Sequence, residues 1–475
     1  MPRYFFLLVV IYSILTSCSK ETLDSSSQNI LKFSTDTLTF DTVFQTLGSA
    51  TRTFRIYNRT SNSILISKTS LNRGTNSQFR YNVDGLSGSS AQNIKILPND
   101  SLWVFAEVTI NPTTNSLLVQ DSLIIESNGG RQIVILRAFG QNAYFHNGEV
   151  LTSSTTWLND KPHVIIDKTT SSGTIPGVII PQGVTLTIQE GTKLHFSINA
   201  GLLVQGNLQC RGTKANNIEM RGLRLEKDYL HGAGQWLGIL IERNSKNNLI
   251  EYSTIDESAF GLWLGFQATS NFTSILNNST QAELTLRNST IKNGYYWTVR
   301  SLNNKLIAEN SQFFTSTDYL IQLMLGGIYQ FRNCTIFNIQ SKDQKGNLVL
   351  SNQFYDENSK QTYKNPLTTC FFENCIINSN TEESIILDMD ATTNADYQFR
   401  NTNFNSKSNL NNSNFSNSLT NQDPQFENTT IDKENLKLKS SSPCIDKGLS
   451  NSLTIDILGN PRPNGASVDI GAYEF

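Results

Sequence analysis

Charge is scarce in this chain. Asp, Glu, Lys and Arg make up 16% of the residues, and 38 basic side chains face 40 acidic ones for a formal net charge of −2. Nucleic-acid phosphates are held by clustered Lys and Arg, and no basic stripe occurs, so DNA and RNA are excluded as partners. Asn, Ser, Thr and Gln fill the polar positions instead, a surface common among extracellular β-proteins and equally that of any neutral, soluble exterior. Cysteine is sparse too, six in 475 residues. There is no C-x-x-C pair and no Cys/His spacing of a zinc site, and His146, His163, His195 and His231 are scattered. No metal and no cofactor are expected. G-x-S-x-G, H-E-x-x-H and phosphate-binding loops are missing as well. The apolar run from Tyr4 to Leu15 is too short to span a bilayer.

That run follows Arg3, has the size of a signal-peptide core, and ends in Leu15-Thr16-Ser17-Cys18. These residues resemble a bacterial lipobox. The resemblance implies cleavage before Cys18, acylation of its thiol and amine, and a membrane as partner. Several acyl chains, at about 0.8 kcal/mol per buried CH₂, hold a protein durably. Ser19-Lys20-Glu21 resembles the Lys-plus-acidic signals that carry Bacteroidetes lipoproteins to the outer face. The implied address is the cell envelope, lipid-anchored to the outer membrane. Residues 1–17 would be the leader, and 18–30 the lipidated cysteine with a polar tether too poor in apolar residues to fold. Five cysteines then remain, an odd number that leaves at least one free thiol.

Residues 31–142 alternate short β-branched runs with turn residues, as in Thr53-Phe54-Arg55-Ile56-Tyr57 and Leu102-Trp103-Val104-Phe105-Ala106. This predicts an immunoglobulin-like β-sandwich. Its landmarks are Asp41-Thr42-Val43-Phe44 leading to Gly48, Tyr57-Asn58 after a strand, and Pro98-Asn99-Asp100-Ser101 before one. They resemble the Hydin/ASPM-type module, which implies a spacer or interaction domain without catalytic residues.

Residues 143–423 read differently. Short apolar strands recur every eight to ten residues from Gly177 onward, broken by glycines at tight bends. Six segments then align: Ile250-Glu251-Tyr252-Ser253-Thr254-Ile255, Leu286-Arg287-Asn288-Ser289-Thr290-Ile291, and those centred on Asn310, Asn333, Asn374 and Asn401. Their formula is apolar, charged, Asn, small, polar, apolar. Successive anchors lie 36, 22, 23, 41 and 27 residues apart, a coil of 22 or 23 residues with insertions. Such a repeat predicts a parallel solenoid. Equivalent positions stack, so Asn288, Asn310, Asn333, Asn374 and Asn401 should form a ladder at a bend. Asn tolerates left-handed backbone there, and its amide can bond neighbouring rungs. Cys334 and Cys375 share the small inward slot, where a thiol serves as a small hydrophobe or a disulfide could cross rungs. A sandwich with a β-propeller is the alternative architecture, but a propeller needs more even periods.

The C-terminus carries Ser442-Pro443-Cys444-Ile445-Asp446-Lys447-Gly448, Asp456-Ile457-Leu458-Gly459-Asn460-Pro461-Arg462-Pro463 and Asp469-Ile470-Gly471-Ala472-Tyr473-Glu474-Phe475. This run resembles the closing segment of bacterial cell-surface proteins catalogued as choice-of-anchor Q. The resemblance implies a right-handed parallel β-helix in an all-β chain, and residues 424–475 are expected to cap its last rung.

Chemistry is harder to find. The richest acidic group is Glu382-Glu383 with Asp388 and Asp390, and no partner carboxylates recur on neighbouring rungs. Asp446, Asp456 and Asp469 read as turn residues bonded to backbone amides. No catalytic residue is assigned. Planar side chains offer the other possibility: Trp263, Tyr295, Tyr296 and Trp297 follow the Tyr252 and Asn288 anchors, and Tyr355 lies in the insertion from Ser341 to Pro366. Such rings could stack on sugars or fill the core. The expected function is a non-catalytic envelope lipoprotein that binds glycan or matrix. The alternatives are a divergent β-helix polysaccharide lyase or glycosidase, and a structural envelope component.

Overall fold

The computed structural model describes residues 22–24, 26, 30–111, 118–171, 173–226, 229–267, 275–339, 347–408, 410 and 413–475. Cys18 and the leader lie outside them. The chain divides into two compact units, residues 1–143 and 144–475.

In the first unit two five-stranded sheets form an immunoglobulin-like β-sandwich. One sheet runs Lys32–Phe33, Arg52–Tyr57, Ser101–Val108, Phe79–Val83, Leu86–Gly88; the other runs Thr37–Phe44, Gly130–Gln141, Leu118–Ser127, Ile64–Leu71, Ser90–Ile96. All pairs are antiparallel except Thr37–Phe44 with Gly130–Gln141. Period-two alternation sends Phe54 and Ile56 into the core while Arg55 faces out over the Trp103 ring. Asn58 is buried because its amide caps the carbonyls of Ile96 (3.1 Å) and Leu97 (2.9 Å).

The second unit is a parallel β-helix with three sheets of eleven, nine and ten strands. Each coil visits them in turn, as in Thr290–Gly294 (first sheet), Trp297–Leu302 (second) and Lys305–Glu309 (third), before Gln312–Ser316 returns to the first. Neighbouring coils pair in parallel register, so like side chains stack. The aromatic column of the third sheet is the clearest case. Phe331, Phe372, Phe399 and Phe415 stack at 4.7, 4.9 and 4.8 Å between successive centroids.

The repeat formula is a bend between the third and first sheets. Tyr252, Asn288, Asn310, Asn333, Asn374 and Asn401 all have φ between 42° and 53°, the left-handed region that Asn enters most cheaply. The small slot that follows points inward and donates to the carbonyl two residues back, whether as Ser289 (2.7 Å), Ser311 (2.8 Å), Cys334 (3.4 Å) or Cys375 (3.3 Å). That shared donor explains why Ser and Cys interchange there. Both cysteines are free, buried thiols. The charged position alternates in sign down the stack, and Glu309 sits between Arg287 (2.9 Å) and Arg332 (3.2 Å).

Two expectations need correction. The Asn amides do not chiefly serve neighbouring rungs. Asn310 donates to Ile455 O (2.8 Å), Asn374 to Leu449 O (2.7 Å) and Asn401 to Lys447 O (2.7 Å), while Leu449 N–H returns a bond to Asn374 (2.7 Å). Correspondingly, residues 424–475 meet the last rung at Leu419 but, rather than lying across its end, run back along the side of the solenoid. The physical reason is an outer face of the first sheet that carries Phe314, Phe337 and Ile376, apolar where water would otherwise lie. Phe426, Leu436, Leu438 and Ile470 cover them. The segment is pinned by Asp456, which accepts from the N–H groups of Leu458 (2.8 Å) and Asn460 (2.7 Å), and by the buried ion pair Arg462–Glu474 (2.6 Å). Asp469 accepts from Asp446 N–H and Phe475 N–H at 2.7 Å each, so these carboxylates are turn formers as expected.

Candidate functional site

The bend from the first sheet to the second carries the most side-chain chemistry. Tyr295 and Tyr296 fill it on the coil of Asn288. Their backbone N–H groups donate to Ser258 O and Ala259 O of the previous coil, both at 2.9 Å, which fixes where the rings emerge. Both rings are exposed, at 47% and 43%. They meet edge to face at 4.8 Å, and Tyr296 stacks on Phe260 at 5.1 Å and 11°. Phe260 in turn lies 5.2 Å from Trp297 and 5.5 Å from Trp263, whose rings meet perpendicularly at 5.4 Å. The four aromatics expected to bind glycan therefore share one cluster with unequal exposure. Tyr295 and Tyr296 face solvent, Trp263 is half-buried, and Trp297 is buried at 7% exposure behind them. Gly261, at φ 46°, lets the Trp263 coil lie close, because a Cβ there would collide with the Thr298 carbonyl.

Beside this platform is a polar group that sequence reasoning missed. His231, Asp256 and Glu257 offer ligand atoms within 4.8 Å of one another. Asp256 accepts from Asn293 (2.7 Å), and its other oxygen lies 3.3 Å from both Lys292 Nζ and His231 Nδ1. Burial would raise the Asp256 carboxyl, but His231, Lys292 and Asn293 outweigh it and hold it below the ordinary carboxylate range. Glu257 is fully buried. It takes Arg221 (2.7 Å) and the N–H groups of His231 (2.7 Å) and Gly222 (3.1 Å), and burial pushes its pKa up. The bond to Asp256 raises His231. Every oxygen of both carboxylates is engaged by a donor, two of them cationic, so the group is self-neutralised rather than shaped for a divalent cation. His231 and Glu257 also sit at φ 63° and 66°, left-handed positions that non-glycine residues occupy only when held there.

Elsewhere the richest acidic group of the sequence does not converge on one site. Asp388 accepts from Ser351 (2.9 Å) and Gln353 (2.7 Å), whereas Asp390 pairs with Lys364 (2.8 Å), which with Thr392 and Thr393 lowers its pKa. Tyr355 is exposed on an antiparallel hairpin, Gln353–Asp356 with Gln361–Lys364, away from the repeat.

No protein-family model matches the chain, and no curated protein does. Among solved structures, the Agl-KA catalytic domain aligns over 78% of this chain and 79% of its own at 11% identity, with a TM-score of 0.21. A family 123 glycoside hydrolase of Clostridium perfringens aligns over 23% and 25% at 7% identity and TM-score 0.17, so the chain spans a quarter of its length. The human PapD-like domain 7 of CEP192 aligns over 27% of this chain and 96% of its own at 11% identity and TM-score 0.18. Scores this low carry no functional argument.

Proposed function

We propose that this protein is a non-catalytic, lipid-anchored component of the bacterial cell envelope that binds glycan on the side of its β-helix. The observation that carries this reading is the Tyr295–Tyr296 platform: two exposed rings on adjacent residues, fixed by backbone bonds and backed by Phe260, Trp263 and Trp297. Rigid exposed aromatics next to polar side chains suit sugars, whose C–H faces stack while their hydroxyls take hydrogen bonds. The lipobox-like Cys18, the Hydin/ASPM-like module and the choice-of-anchor Q-like terminus agree with a surface location. The His231–Asp256–Lys292 group favours a second reading, a divergent glycosidase or lyase. Against it stands the full engagement of both carboxylates of that group, Asp256 and Glu257, by donors of the chain itself.

A glycan array probed with the chain from Thr22 onward tests the proposal. Two stacking contacts of about 0.5–1.5 kcal/mol each predict that replacing Tyr295 and Tyr296 by Ala together weakens binding about 5- to 150-fold. Undiminished binding by that variant would refute the site. An array on which nothing is retained would refute the glycan reading itself.

A further inference from the structure

Arg221, Lys292, Arg287 and Arg332 each face a carboxylate. Arg300 does not. It stands on the outer face of the second sheet, in register with Trp263 on one side and Gln322 on the other. Its guanidinium lies 4.7 Å from the Trp297 ring centroid and 5.5 Å from that of Trp263. Among the described residues it has no ion pair and no hydrogen bond, and its buried Nε is without a partner. Burial alone lowers its pKa, to about 10, with no carboxylate opposing. The indole N–H groups of Trp263 and Trp297 are likewise buried and unpartnered.

One cluster thus holds three orphaned donors, one of them on a cation. An unmade bond at a buried donor is destabilising, and cation–π contact with the two indoles offsets only part of that loss. The missing counterpart is an anion with several acceptor oxygens, the group that a guanidinium fork binds best. We propose that the Arg300–Trp263–Trp297 cluster binds the carboxylate or sulfate of an acidic sugar whose ring rests on the neighbouring Tyr296 and Tyr295. The platform is then selective for anionic over neutral glycans. This rests on the glycan reading above and adds the charge of the ligand.

The full-length chain in detergent can be titrated with glucuronate, glucose 6-sulfate, glucose and inorganic sulfate. Tryptophan fluorescence and the two indole N–H resonances report binding. Both acidic sugars should bind at least ten-fold more tightly than glucose and shift both indoles, and Arg300→Gln should erase that preference. Equal affinity for glucose and the acidic sugars would overturn the inference while leaving glycan binding intact. Acidic sugars that bind Arg300→Gln as tightly as wild type, or that move neither indole, would overturn it too. Inorganic sulfate binding as tightly as glucose 6-sulfate, undisturbed by the Tyr295/Tyr296 double replacement, would show a plain anion site and refute the sugar assignment. If Arg300→Gln fails to fold, Arg300→Lys keeps the charge without the planar fork and Trp263→Phe removes one donor. Each should weaken the acidic sugars several-fold, and unchanged affinity in both would overturn the proposal.

Discussion

Single residues in this protein are decided by what surrounds them. His195 lies on the outer side of strand Lys193–Phe196 yet is buried, and burial lowers its pKa to about 4. The folded value lies below the unfolded one of about 6.5, so its contribution is intact above pH 6.5 and is lost as the pH falls toward 4, because only the unfolded chain takes up the proton. The slope is about 1.4 kcal/mol per pH unit. Urea unfolding from pH 7 to 4 should therefore show His195→Gln losing about 3 kcal/mol less than wild type. Parallel curves would mean that the imidazole protonates in place. Nothing in the sequence marked this histidine, since an outward strand position usually faces water. The Arg462–Glu474 pair is the same kind of case: both groups look like ordinary surface charges in sequence, and both are buried.

At the scale of the element, the Asn bend was legible because its conformation is local. A left-handed residue flanked by alternating strands selects Asn wherever it recurs, and the aligned formula displayed it. The partners of the amides were not legible, because they lie far along the chain. Asn374 is bonded twice to Leu449, 75 residues away, whereas Asn288 has φ 47° but an amide oxygen without a partner. Replacement by Gly preserves the backbone and isolates the amide. Asn374→Gly should cost about 1–3 kcal/mol and expose the segment around Leu449 to protease, while Asn288→Gly should stay within about ±0.5 kcal/mol. Equal losses at both sites would show that the ladder acts through its backbone alone. The aromatic platform has the same history. Trp263, Tyr295, Tyr296 and Trp297 were visible, but Phe260 and Arg300 join them only across coils. A hint did exist: Arg300 stands twelve residues after Asn288, and Trp263 eleven after Tyr252.

For the whole molecule the expectation is attachment. The lipobox-like motif places Cys18 where acyl chains would tether both units to a membrane, each buried CH₂ contributing about 0.8 kcal/mol. In a bacterial expression host, Cys18→Ala should move the protein from the detergent-extracted membrane fraction to the soluble fraction and abolish incorporation of labelled fatty acid. A variant that still partitions with membranes would sink the anchor. The two units, a sandwich and a solenoid, also differ in what their sequences reveal. The sandwich shows only period-two alternation and turn residues, which specify strands but not their partners. The solenoid adds a repeat, and a repeat states its own pairing, because each coil can bury its apolar edge only against the next.

Strand alternation, the coil repeat and the left-handed Asn positions follow from short-range sterics and burial, so the sequence alone determined the all-β class, the two-part organisation and the stacking of the coils. The path of the terminal segment, the burial of Trp297, the left-handed backbone at His231 and Glu257 and the unpaired Arg300 were decided only by tertiary structure. Each depends on groups from separate coils meeting in space. The energy of such a meeting, whether a burial, an ion pair or an unmade hydrogen bond, belongs to the juxtaposition and to no residue by itself.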